Sequence, residues 1–140
     1  MGETRFTYTK GERLTNKTII DELFTNGHSF VSYPFRIVWN QAELNSDFPA
    51  QFVVSVSKRC FKRAVKRNLL KRRIREIYRQ NKHLLYHELK EKEIQIAFMV
   101  VYLPKTILPS SELEPKLKKA LQKIPKEYEK SNPVHNDPTD

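Results

Sequence analysis

A chain of 140 residues with 39% hydrophobic and 11% aromatic side chains has the material for one domain around a single core, which excludes a disordered basic tail. Its formal charge of +10 is confined: eleven of the 26 Lys and Arg residues, against the single acid Glu76, fall between Lys58 and Arg79, and the 15 basic and 15 acidic residues elsewhere cancel. A field concentrated in this way suits a polyanion, because phosphates neutralised by Lys and Arg release their condensed counterions.

In chain order, a polar start leads into residues 16–26, where Ile19, Ile20, Leu23 and Phe24 recur at i, i+1, i+4 and i+5 and Gly27 follows as a stop signal. This predicts a short amphipathic helix. From His28 to Asn40, the residues Phe30, Val31, Phe35, Ile37, Val38 and Trp39 favour strand, and Pro34, which has no N–H for a ladder, divides the segment at a bulge or edge. The polar stretch from Gln41 to Pro49 reads as a loop, and Phe52 to Val56 as a compact apolar strand running through Ser57 into the basic segment.

With no Gly or Pro and many Arg, Lys, Leu and Ile, the basic segment is predicted helical from about Arg63 to Asn81. Helical phase puts Leu70, Ile74, Ile77 and Tyr78 on one face and Arg67, Asn68, Lys71, Arg72, Arg75 and Arg79 on the adjacent arc. Like charges one turn apart cost roughly 0.2–0.5 kcal/mol per pair in an isolated helix, a penalty that a polyanion would reverse. A charged bridge with His83 and His87 then precedes a strand from Ile94 to Leu103, closed by Pro104. Ser110 or Ser111 caps a last helix to about Lys123, with Leu113, Leu117, Ala120, Leu121 and Ile124 inward and Pro115 tolerated in the first turn. Residues 1–125 are then expected to form a single nucleic-acid-binding domain, and the polar tail 126–140 is expected to be disordered.

Few other features compete with the basic segment. The apolar run from Ile94 to Leu103 is about half of the roughly 20 residues a membrane helix needs, so no membrane partner is expected. The lone Cys60 forms no internal disulfide, and with no secretory pattern at the start the expected compartment is the reducing cytoplasm. Cys60 lies among cations and could be a reactive thiol, but no His or Asp constellation accompanies it, and a small residue at a strand-to-helix turn is the simpler reading. His83 and His87 have the i, i+4 spacing of a helical metal pair but lack both a nearby Cys and the Glu of a zinc protease motif. Phe24, Tyr33, Phe35 and Trp39 could stack on unpaired bases or belong to the core. No carboxylate pair, phosphate loop or nucleophile triad stands out, so neither a catalytic residue nor a protein-held metal is expected.

The run Ser55-Val56-Ser57-Lys58-Arg59, followed by Arg63-Ala64-Val65-Lys66-Arg67-Asn68-Leu69-Leu70-Lys71-Arg72-Arg73-Ile74-Arg75-Glu76, resembles the signature of the bacterial ribonuclease P protein component. In that family a strand ending in Ser-x-Lys-Lys/Arg precedes a helix with an Arg-Asn-Arg motif. Arg13-Leu14, the helix ending in Leu23-Phe24 and Gly27, and Phe35-Arg36-Ile37-Val38 are similar to the family's N-terminal half, so the likeness extends over roughly Phe6 to Lys123. Leu69 stands where the family has its second motif Arg, Val53 where a glycine is common, and Ile20 and Val38 at two usual aromatic positions.

The resemblance implies an α+β fold, a two-layer α/β sandwich ordered α-β-β-β-α-β-α like the second domain of ribosomal protein S5. Pro34 would separate the first two strands, and a left-handed crossover would run around the basic helix. It further implies a subunit of ribonuclease P, which removes 5′ leaders from precursor tRNA. The RNA subunit would be the catalyst and would bind most of the divalent metal (Mg), with none held by the protein alone. Ribonuclease P RNA would be met by Lys58, Arg59, Lys62, Arg63, Lys66, Arg67, Asn68, Lys71, Arg72 and Arg75, and the leader of precursor tRNA by a cleft with Phe24, Phe35 and Trp39. The alternatives are a ribosomal-type RNA-binding protein or RNA chaperone, which shares the basic helix without the processing role, and a helix-turn-helix DNA reader, which would need a helix where Phe52 to Val56 reads as strand.

Overall fold

A computed structural model describes residues 10–131. Phe6, at the start of the family likeness, and residues 132–140 of the expected tail lie outside them. Helix α1 spans Lys17–Asn26, and Asn16 caps it by accepting the Ile19 N–H at 3.1 Å. Gly27 ends it in extended backbone rather than the left-handed turn usual for a glycine stop. It is glycine because a Cβ there would sit 2.4 Å from the Leu23 carbonyl oxygen and 2.9 Å from Val38 Cγ1.

Four strands follow the expected order: β1 (His28–Ser32), β2 (Phe35–Gln41), β3 (Ala50–Val56) and, after helix α2 (Ala64–Lys92), β4 (Ile96–Tyr102). Helix α3 (Ser110–Ser131) closes the fold. This is the α-β-β-β-α-β-α sandwich, with Pro34 in the turn between β1 and β2 after a cis Tyr33–Pro34 bond. The sheet runs β1-β2-β4-β3, antiparallel except for the parallel β3–β4 pair that α2 connects.

The sheet divides two apolar layers. Phe35, Ile37 and Trp39 of β2, with Phe52, Val54, Phe98 and Val100, face α2 and α3 and join Leu70, Ile74, Tyr78, Leu113, Leu117 and Leu121. The alternate residues Val38, Val53, Ala97, Met99 and Val101 face the other way, against Ile19, Ile20 and Leu23 of α1 and the buried Leu14 and Leu44. Gln95, just before β4, fastens the 41–49 loop: its side chain donates to the carbonyls of Ser46 and Phe48 and accepts from the Leu44 N–H at 2.9 Å. Residues 10–14 cover the open edge of β3, where the Leu14 N–H bonds the Phe52 carbonyl at 3.1 Å.

Three expectations need correction. The bridge carrying His83 and His87 is helix: α2 continues to Lys92, about 43 Å in all. It continues because Asn81, Lys82, Leu85, Tyr86 and Leu89 are buried, so this half of α2 has its own inward stripe. Second, residues 126–131 belong to α3 rather than to a disordered tail. Pro125 lacks the N–H for its helical bond, but it is buried, and beyond it Tyr128 packs edge-on to Trp39 and Glu129 pairs with Lys92. Third, the start is not simply polar. Glu12 is fully buried and accepts from Lys82 Nζ and from the Tyr86 hydroxyl at 2.5 Å, tying the first turn to α2 across 70 residues of chain. Burial, first of all, pushes the Tyr86 phenol above its usual value, with Tyr78 and Glu12 adding to the shift. Among the described residues no helix is long and apolar enough to cross a membrane.

Candidate nucleic-acid interface

Parallel strands end on the same side of a sheet. The segments that leave β3 and β4 therefore adjoin, and α2 starts beside them. After β3 the chain turns sharply: the Ser57 carbonyl accepts the Phe61 N–H and the Ser57 hydroxyl accepts the Arg59 N–H, both at 3.0 Å. Phe61 is the anchor, buried with its ring 6.1 Å from that of Tyr102. The turn leaves Lys58, Arg59, Lys62 and Arg63 exposed around the start of α2. No acid occupies the first turn of α2 and no side chain caps it, so the positive end of the helix dipole adds to these cations. Lys66 completes the group, and with Lys105 and Thr106 from the β4–α3 connection it lines a cleft of about 500 Å³ beside Cys60. Lys105 was missed by sequence reasoning because only the parallel β3–β4 pairing brings it here. Cys60 is a half-buried free thiol packed against the core.

Along α2, Leu70, Ile74, Ile77 and Tyr78 are buried, as their phase predicts, and Asn68, Arg72 and Arg75 are exposed on the adjoining arc. Lys71 is half-buried. Leu69 stays off the packed face and joins the 78% exposed Val65 in a shallow depression ringed by Asn68, Arg72, Arg75, Glu76 and Arg79. Arg67 is only partly turned to solvent: its Nη1 donates to the carbonyls of Phe61 at 2.8 Å and Lys62 at 2.9 Å, so it braces the turn that presents the other cations. Glu76 is engaged by Arg79, whose hydrogen bond, ahead of other effects, holds its carboxyl below the usual carboxylate range. Arg75 also meets Arg13 at a small hollow over Phe52 and Val53, where the basic arc reaches the α1 side of the sheet.

The three candidate leader-cleft aromatics separate. Phe24 stands 71% exposed near the end of α1, so it is not a core residue beside the buried Leu23. Phe35 and Trp39 face the opposite layer, fully or almost fully buried, with Phe35 edge-on to Tyr102 and Trp39 packed on His28 and Tyr128. Neither can meet a ligand on the α1 side. The signal was in the alternation: Phe35, Ile37 and Trp39 share one face of β2, which leaves Arg36, Val38 and Asn40 on the other. Arg36 is exposed there and pairs across the sheet with Val31, itself 51% exposed, and with Val101. His83 and His87 lie exposed on α2, with His87 Nε2 3.6 Å from Glu91, and no group of three or more potential metal ligands occurs among the described residues.

The chain is similar to known proteins in sequence and in fold. A family model described as Ribonuclease P matches residues 8–125. Ribonuclease P protein components from two strains of Porphyromonas gingivalis are each 46% identical over 98 residues, which is 69% of this chain and 72% of theirs. The RNase P protein from Thermotoga maritima superimposes with a TM-score of 0.65 at 23% identity, covering 81% of this chain and 97% of that one. The Staphylococcus aureus RNase P protein gives 0.63 at 22% identity, covering 81% and 94%. At these identities the structural likeness carries the fold alone.

Proposed function

The chain belongs to the ribonuclease P protein family, and from that premise we propose that it serves as the protein subunit that docks on ribonuclease P RNA and holds the 5′ leader of precursor tRNA. The observation that carries this reading is the continuity of two unlike surfaces. A cationic arc formed by the 57–63 turn and the first half of α2 suits phosphates. At Arg75 and Arg13 it adjoins the α1 side of the sheet over β3, and on that side the paired row Ser55, Val101, Arg36 and Val31 leads across the sheet to the open Arg36 and Val31.

Each part has a distinct task. Lys58, Arg59, Lys62, Arg63 and Lys66, gathered at the positive end of α2, form a dense phosphate-binding edge, and Arg72 and Arg75 extend it with planar guanidinium forks. Asn68, exposed between them, can donate and accept at a sugar or base edge and so fix register. Arg67 acts chiefly by holding the turn. Phe24, Val31, Arg36 and Val101 offer an unpaired strand a stacking ring, apolar contact and a cation, the combination that single-stranded RNA needs. In this reading the RNA is the catalyst and binds most of the divalent metal that drives phosphodiester hydrolysis. The protein raises the local order of the substrate rather than moving protons itself.

Reconstitution tests this directly. The chain combined with its cognate ribonuclease P RNA and a precursor tRNA at low magnesium should restore leader removal, and the protein without RNA should leave the precursor intact. A ribosomal-type binder or RNA chaperone would bind the RNA without restoring cleavage, and that result would overturn the proposal.

A further inference from the structure

The cancellation of charge outside residues 58–79 hides a segregation on α3. That helix carries six lysines and four glutamates, but two of the glutamates are turned toward α2: Glu114 accepts from Asn81 Nδ2 at 3.3 Å and Glu129 pairs with Lys92. Lys116, Lys119, Lys123, Lys126 and Lys130 recur at steps of three and four residues, so they share an arc of about 80°. The stripe lies away from the buried Leu113, Leu117, Ala120 and Ile124 and is about 21 Å long. Lys116, Lys119 and Lys126 make no ion pair with a described residue. Lys123 Nζ sits 4.9 Å from the Phe30 ring centre on edge strand β1, Lys130 lies 3.7 Å from Glu127, Glu112 begins the same side, and Lys126 borders the α2–α3 hollow that Glu88 and the Lys92-paired Glu129 also line.

This surface is separate from the basic arc of α2. The arc ends before Asn81, whereas the contacts from Asn81 to Glu114 and from Lys92 to Glu129 set α3 alongside the later half of α2. Lysines repeated at one-turn spacing repel one another and weaken an isolated helix, a defect that a row of phosphates would reverse. The stripe carries no exposed aromatic side chain, so it lacks the stacking platform of a single-strand site and offers point charges only.

We propose that the α3 lysine stripe is a second phosphate-backbone contact that takes a base-paired segment of RNA, so that the protein spans two parts of one folded RNA partner. The inference rests on the RNA-binding role argued above. The full chain carrying K119Q and K126Q is compared with one carrying K90Q and K118Q, which removes the same charge from exposed positions off the stripe. Both are titrated with the cognate ribonuclease P RNA and with an isolated RNA duplex across a range of salt concentrations. The stripe variant should lower the slope of log K against log salt by about two units, and the control should leave it unchanged at the same melting temperature. Equal losses in the two variants would reduce the stripe to net charge and overturn the proposal, as would an unchanged slope in the stripe variant. A loss seen with ribonuclease P RNA but not with the duplex would overturn the base-paired assignment. An R72A/R75A variant separates the two readings: if it weakens binding while the stripe variant does not, only the stripe fails, and if the unaltered chain binds neither RNA, the RNA-binding role fails with it.

Discussion

Replacing Phe24 with Ala should reduce the preference of the reconstituted particle for precursor over mature tRNA while leaving the fold nearly unchanged. Truncating a fully buried Phe costs about 3–5 kcal/mol. Phe24 is 71% exposed, so less than a third of that burial is at stake and the stability loss should stay near 1 kcal/mol, a few degrees in Tm. Stacking on an unpaired base is worth roughly 1–3 kcal/mol. The precursor preference should therefore fall by about 5- to 150-fold, since each 1.4 kcal/mol is a factor of ten. The measurement is a pair of Kd values, for precursor and mature tRNA, on the particle made with each protein, together with a thermal melt and the affinity for ribonuclease P RNA alone. That last affinity should not move, because Phe24 lies on α1 and the basic arc on α2. A Phe24→Ala particle with undiminished precursor preference would refute the reasoning, and so would equal weakening toward both tRNAs.

Three further outcomes test the surroundings of the site. Ile74→Ala, at a position with no solvent exposure, should destabilise the protein by about 2–5 kcal/mol in denaturant unfolding, and a neutral result would mean that the faces of α2 are assigned wrongly. Arg72→Ala and Arg75→Ala should each lower the salt slope of RNA binding by about one unit with no change in Tm, whereas Arg67→Ala should also lower Tm, because its guanidinium holds the carbonyls of Phe61 and Lys62. Lys82→Met leaves Glu12 buried without its cation and should cost about 3–5 kcal/mol, while Lys82→Met combined with Glu12→Gln should recover a large part of that loss; additive losses in chemical denaturation would argue against the pairing.

Much of this molecule was legible in the sequence because its determinants are local. Helical phase alone sorted Leu70, Ile74, Ile77 and Tyr78 from Asn68, Arg72 and Arg75, and the run of cations against one acid marked the segment that forms the exposed basic arc. The inward side of α3 from Leu113 to Ile124 followed from the same 3.6-residue period. A charged stretch with histidines, however, gives no local sign that Asn81, Lys82 and Tyr86 meet buried partners. Nor does a proline announce that packing against Trp39 and a pair with Lys92 will carry a helix past it.

The remaining decisions belonged to the tertiary structure. Alternation along β2 groups Phe35 with Trp39 but does not say which side of the sheet the helices cover, so aromatic character by itself could not distinguish a core ring from a stacking one. Sheet pairing put both rings under α2 and α3 and left Phe24, Val31 and Arg36 open. The parallel pairing of β3 with β4 likewise brought Lys105 to the start of α2, and docking of α3 on α2 engaged Glu114 with Asn81 and Glu129 with Lys92. A sequence fixes the composition of each element and the period of its faces; which face meets solvent depends on contacts tens of residues apart, as between Glu12 and Lys82, and those exist only once the chain has folded.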